Sequence, residues 1–80
     1  MEIQLLFFGI ATDLVGKNTM LYKIEENSTI IELKKSLISN FSGLKNINEF
    51  AIAVNEEYAD DDLIITHRDV VAIIPPVSGG

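Results

Sequence analysis

The sequence predicts an α+β roll, a mixed β-sheet covered on one face by a single main helix. Three observations carry this. Thr29 with Glu32 three residues on forms a capping box, and Ile30, Leu33, Leu37 and Phe41 follow at helical spacing. Apolar segments suited to strands, "EIQLLFF" and "VVAIIPP", stand near the two ends of the chain. The connection between the second and third strands is long enough for one helix to cross the sheet and cover its inner face.

Each element has its own warrant. In "EIQLLFF", Ile3, Leu5 and Phe7 alternate as a half-buried strand does, while Leu6 and Phe8 put apolar groups on the opposite face. That second face is either covered by the protein itself or open to a partner. "ATDLVG" reads as one helical turn closed by Gly16, which takes the left-handed conformation cheaply. "TMLYKI" is a second strand, and "EENS" leads out of it. Within the main helix, Ile31 and Ile38 flank the apolar stripe, and Lys34 near its edge is expected to snorkel. Asn40, Ser42 and Gly43 end the helix. "LKNINEF" fits no single period. "FAIAV" alternates at Phe50, Ile52 and Val54, "NEEY" turns into a short strand around Tyr58 and Ala59, and "THRD" is a turn before the last strand. Pro75 and Pro76 stop that strand because neither can donate to a ladder.

Composition narrows the function classes. At 80 residues one small domain is expected, 1–74, with 75–80 as a separate tail. Apolar residues make up 48% of the chain, enough for a core without staples. The absence of cysteine excludes disulfides and cysteine-ligated metal, and fits a reducing compartment. A net charge of −6 argues against nucleic acid and against anionic membrane surfaces as partners. No run approaches the roughly 20 apolar residues of a membrane span. "LLFFGIA" is brief and preceded by Glu2 rather than by a basic residue, unlike a signal peptide. A cytoplasmic location is expected.

Catalytic constellations are missing. His67 is the sole histidine, set in a surface turn with no nucleophile and orienting acid in view. The glycines are scattered rather than gathered into a phosphate loop. Glu56 and Glu57, as neighbours, point to opposite sides of any strand. Asp60, Asp61 and Asp62 read as a solvated loop, since the spaced ligands and glycine of a calcium loop are absent. No metal and no bound cofactor is expected, and the chain alone is not expected to be an enzyme.

The end of the chain is the chemically suggestive part. Pro75 and Pro76 favour a stiff, extended exit from the sheet, and Val77 and Ser78 precede two residues without side chains. Gly79 and Gly80 form a thread able to enter a channel too narrow for any Cβ. An ordinary frayed terminus is the alternative.

"IIPPVSGG" at the end, "LFFG" near the start and "AVNEEY" between them resemble the small, sulfur-carrying subunit of molybdopterin synthase. The resemblance spans essentially the whole chain and implies the ubiquitin-like β-grasp fold, in agreement with the roll read from the residues. One departure is "THRDVV", where the family has glycine in place of Arg68, so the conformation of that turn is left open.

The resemblance implies a definite chemistry. An activating enzyme of the ubiquitin-activating type would adenylate the Gly80 carboxylate with ATP and magnesium. A persulfide sulfur donor would then convert the glycyl-adenylate to a thiocarboxylate, 1-thioglycine at position 80. With Pro75, Pro76, Val77, Ser78 and Gly79 bound along its active site, the large synthase subunit would pass the sulfur to a cyclic pyranopterin monophosphate. The family works as a heterotetramer of two large and two small subunits. Related readings are a carrier for thiamine synthesis or tRNA thiolation, or a protein modifier joined to lysines through Gly80.

The roll places first and last strands side by side, so Phe8 and Ile74, both on the outer parity, are expected to share one surface. Tyr58 stands at a position that the resemblance assigns to the partner interface. These three are expected to form a docking patch beside the tail. The alternative is that Phe8 and Ile74 complete the core.

Overall fold

Residues 1–76 are described by the computed structural model of the chain. In order the elements are β1 (Glu2–Phe7), α1 (Ile10–Val15), β2 (Thr19–Lys23), α2 (Ile30–Asn40), two 3-10 turns (Ser42–Leu44 and Ile47–Glu49), β3 (Ala51–Val54), β4 (Glu57–Tyr58) and β5 (Val70–Ile74). The strands form one sheet in the order β2-β1-β5-β3-β4. β1 and β5 run parallel and the other pairs are antiparallel, so the sheet is mixed, as expected. Both central strands therefore end at the same edge of the sheet, where β5 passes into the tail.

Parity decides what is inside. Ile3, Leu5 and Phe7 of β1, Ile52 and Val54 of β3, and Val71 and Ile73 of β5 all face α2 and are buried. They meet Ile30, Leu33 and Leu37 of the helix, each fully buried. Side chains of this size stabilise the fold by about 1.5–3 kcal/mol apiece through burial. The capping box is present in both directions. Glu32 N–H donates to Thr29 Oγ1 at 3.4 Å, and Thr29 N–H donates to Glu32 Oε1 at 2.9 Å. The Glu32 carboxylate thus accepts the Thr29 backbone N–H and also the Thr29 hydroxyl at 3.1 Å, and these two bonds, the backbone one first, lower the Glu32 carboxyl below its ordinary value.

The segment after β4 completes the helix start. Ile30 N–H donates to Leu63 O at 3.0 Å and Ile31 N–H to Asp61 O at 3.0 Å, so two of the helix's otherwise orphaned donors are satisfied. Here the expectation for Lys34 fails. It does not snorkel to solvent but is buried, and its Nζ donates to Asp61 Oδ1 at 2.7 Å. The segment 59–65 lies over the flank of α2, so the ammonium finds its counter-charge under that cover. Asp61 is accordingly not a merely solvated member of the aspartate run.

"LKNINEF" resolves into the two 3-10 turns, with Leu44 and Ile47 fully buried. A lone pair of apolar residues three apart defines no sustained period, and turns this short impose none, which is why the pattern was unreadable. Phe41 caps α2 rather than lying within it, and β4 ends at Tyr58, one residue short of Ala59. Gly16 closes α1 as expected, at φ 85° with its N–H on Thr12 O at 2.8 Å.

Three turns place ordinary residues in the left-handed region, the first at Asn27 (φ 63°) ahead of α2. Asn55 (φ 50°) and Glu56 (φ 74°) form the two-residue loop between β3 and β4, with Val54 opposite Glu57. Positive φ at both positions is the type I′ pattern that suits the twist of a tight hairpin. Arg68 has φ 71°, and Asp69 N–H returns to Thr66 O at 3.1 Å. Arg68 thus occupies a position at which a type II turn favours glycine. His67, exposed in this turn, accepts Glu2 N–H through Nδ1 at 3.2 Å.

Candidate functional site

The face of the sheet away from α2 carries the second set of apolar side chains. Leu6 pairs with Ala72, Ala72 with Ala53, and Ala53 with Tyr58, making one row across four strands. Nearer the tail, Phe8 N–H donates to Ile73 O at 3.3 Å, carrying the parallel ladder one residue beyond β1. Phe8 and Ile74 therefore come together on this face. A shallow depression of about 610 Å³ runs along it, lined by Leu6, Phe8, Tyr58, Val70, Ala72 and Ile74 among others. No helix covers it.

All three residues expected at a partner interface thus line one surface. Phe8 is 49% exposed and Tyr58 80% exposed, while Ile74 is half-buried among its strand neighbours. Phe8 does not complete the core. The small residues Ala53 and Ala72 keep the centre of the face low, so Phe8 and Tyr58 stand as its rims. That Leu6, Ala72, Ala53 and Tyr58 share one row comes from the register of four strands, which no local pattern in the sequence displays, although Leu6 and Phe8 did signal their face by breaking the alternation.

A polar clamp holds the Tyr58 rim. The Asp69 carboxylate accepts Thr66 N–H at 2.8 Å, the Thr66 hydroxyl at 3.0 Å and Asn55 Nδ2 at 3.0 Å. Asn55 Oδ1 in turn accepts Val70 N–H at 3.0 Å. The β3–β4 hairpin is thereby tied to the start of β5. Burial raises the Asp69 pKa, but the hydrogen bonds from Thr66 and Asn55 together outweigh it and leave the carboxyl below its ordinary value. Asn55 and Asp69 were missed as site-supporting residues because they meet across 14 positions of sequence.

At the tail, Pro75 is half-buried and Pro76 exposed. The expected thread of Val77, Ser78, Gly79 and Gly80 lies outside the described residues. Among the described residues no group of three carboxylate or histidine side chains is placed to hold a metal ion. None of their helices is long and apolar enough to cross a membrane.

The profile of the ThiS family matches residues 5–80. The chain belongs to the ThiS family. It is 39% identical over 80 residues to the molybdopterin synthase sulfur carrier subunit of Arabidopsis thaliana, covering 99% of this chain and 83% of that one. The subunit of the same name from Caenorhabditis elegans is 35% identical over 82 residues, covering 99% and 98%. Among solved structures, SAMP1 of Haloferax volcanii superposes with a TM-score of 0.87 over the whole of both chains at 19% identity. At that identity the likeness speaks for the fold alone, the ubiquitin-like β-grasp expected from the sequence. A chain from the complex of subunits 1 and 2 of molybdopterin-converting factor of Helicobacter pylori matches with a TM-score of 0.70 and 27% identity, covering both chains fully.

Proposed function

We propose that this ThiS-family chain is the sulfur-carrying small subunit of a molybdopterin synthase, with the Gly80 carboxylate as the atom group that is charged and discharged. The observation that carries this reading is the exposed apolar face ending where β5 passes into the tail, in a chain alike throughout its length to sulfur carrier subunits. A surface that can be buried by a partner stands next to Pro75, where the tail to be delivered into that partner begins.

The chemistry follows from the carbonyl group. A carboxylate is a poor electrophile because oxide is not expelled. Transfer of AMP from ATP, with magnesium on the phosphates, converts it to an acyl adenylate and releases pyrophosphate. The terminal sulfur of a protein persulfide attacks the acyl carbon and AMP leaves; reduction of the resulting acyl disulfide by a thiol frees the thiocarboxylate. In the large subunit that sulfur takes the place of an oxygen on a carbon of a cyclic pyranopterin monophosphate, water then cleaves the resulting thioester and returns the Gly80 carboxylate, and two rounds supply the two sulfurs of a dithiolene. The activating enzyme and the large subunit supply the catalytic groups. This chain supplies the carrier and the docking face built on Phe8, Tyr58 and Ile74. The two-plus-two assembly of the family is part of the same proposal, as is a cytoplasmic site of action.

The test is direct. Incubation with an activating enzyme, ATP and a persulfide donor is expected to raise the intact mass by the difference between one sulfur and one oxygen. Mixing the charged protein with large subunit and pyranopterin precursor is expected to yield dithiolene product. An unchanged mass, or covalent conjugates to lysines in its place, overturns the reading.

A further inference from the structure

The tail's first residue has a seat, and that seat is glycine. β1 ends beside β5, and the chain then turns back at once into α1. Ala11 N–H donates to Phe8 O at 3.0 Å and Thr12 N–H to Gly9 O at 3.1 Å, while the Thr12 hydroxyl donates to Phe7 O at 2.9 Å. Gly9 has φ 54° and ψ −132°, the first central position of a type II′ turn. L side chains rarely adopt that conformation. A Cβ built on Gly9 would stand 3.0 Å from Cγ of Pro75, tighter than ordinary contact. Gly9 therefore meets two demands together: the turn needs its φ, and the Pro75 ring occupies the space a side chain would fill.

We propose that Gly9 is a positioning residue that sets the direction in which the C-terminal tail leaves the sheet, by giving the Pro75 ring a fixed seat. The inference rests on the reading that Gly80 is delivered into a partner's active site. Pro76 forces Pro75 into an extended conformation, so an orientation set at the Pro75 ring is carried outward. The five residues from Pro76 to Gly80 span up to about 17 Å, so a tilt of roughly 10° at the base would move the tip by about 3 Å. A carrier whose tail already points along the bound path loses less conformational freedom on docking. The contribution is to capture by the partner and not to the bond-making step.

Nuclear magnetic resonance and kinetics on the full chain test this. The wild type should show a nuclear Overhauser contact between Gly9 Hα and Pro75 Hγ. In Gly9→Ala and in Pro75→Ala, the Cα–Hα residual dipolar coupling of Pro76 should change while those of Leu5 and Leu37 do not. With the large subunit, each variant should raise KM for the charged carrier by roughly fivefold or more and leave kcat within about twofold. The double variant should be little worse than Pro75→Ala alone, since both substitutions act on one contact. Absence of the Overhauser contact, unchanged Pro76 couplings in both variants, or multiplying KM effects would overturn the proposal. Should Gly9→Ala not fold, the wild-type contact and Pro75→Ala still decide it. If the couplings shift as expected but the wild type transfers no sulfur, the carrier reading fails and the seat for the tail stands.

Discussion

The two faces of the sheet are both apolar, yet they do different things. On the face toward α2, Leu5, Val71 and Ile73 are wholly withdrawn from water. On the other, Phe8 and Tyr58 stand in it, around a depression floored by alanines. Side chains of the first kind hold the fold. Those of the second kind contribute little to it and, on the proposed function, hold a partner. Period-two alternation assigns residues to faces but is silent about which face will be covered. What separates the faces is that the main helix, α2, packs on one side of the five-stranded sheet and no helix of the described residues packs on the other.

Substitutions that exchange the roles of the faces break or sharpen this comparison. The largest expected effect is on the inner face. Leu37→Ala should lower unfolding stability by about 2–5 kcal/mol, read from urea titrations, and weaken partner binding only through the loss of folded protein. Second is Phe8→Asp on the outer face, expected to cost about 2 kcal/mol of affinity for the large subunit in calorimetry while changing stability by less than about 0.5 kcal/mol. If Phe8→Asp unfolds the chain, the two faces are not separable in the way described.

The clamp beneath Tyr58 gives a smaller effect with a sign set by pH. Its carboxyl is lowered in the folded state, so Asp69 contributes stability that is present above its ordinary unfolded value and is lost as pH falls through the folded one. Asp69→Asn should cost about 1 kcal/mol near neutrality, discounted for the exposure of the clamp, and should flatten the acid limb of a stability–pH curve. A parallel curve for wild type and variant would remove Asp69 from the account. Smallest is Arg68→Gly, expected to stabilise by about 0.5–1 kcal/mol because it relieves a left-handed backbone at φ 71°. Thermal melts should show a modest upward shift, with partner affinity unchanged because the turn lies at the far end of β5 from the tail.

Much of the architecture was legible because its signals are local. The Thr29–Glu32 box, the stripe of Ile30, Leu33 and Leu37, and the opposed parities of Phe7 and Phe8 each need only a few neighbouring residues to be read. The turn at Gly16 is of the same kind. Lys34 was misplaced because its helix stripe shows where the side chain points but not that Asp61, 27 residues away, lies over it. Leu44 and Ile47 were unreadable because 3-10 turns impose no long period. The turn at Arg68 shows the reverse case: the chain keeps a left-handed residue there although the amino acid disfavours it, since hydrogen bonds from Thr66 and Asn55 to Asp69 secure the surrounding geometry.

By itself, the sequence determined which residues form the helix and strands, which side of each strand is apolar, and the family to which the chain is alike. It did so because backbone periodicity and capping act between residues a few positions apart. Only the tertiary structure decided that Leu6, Ala72, Ala53 and Tyr58 form one row, that Asn55 clamps to Asp69, and that Gly9 makes room for Pro75. Those are meetings of distant segments, fixed by strand register and by the parallel pairing of β1 with β5. No short-range interaction along the chain specifies them.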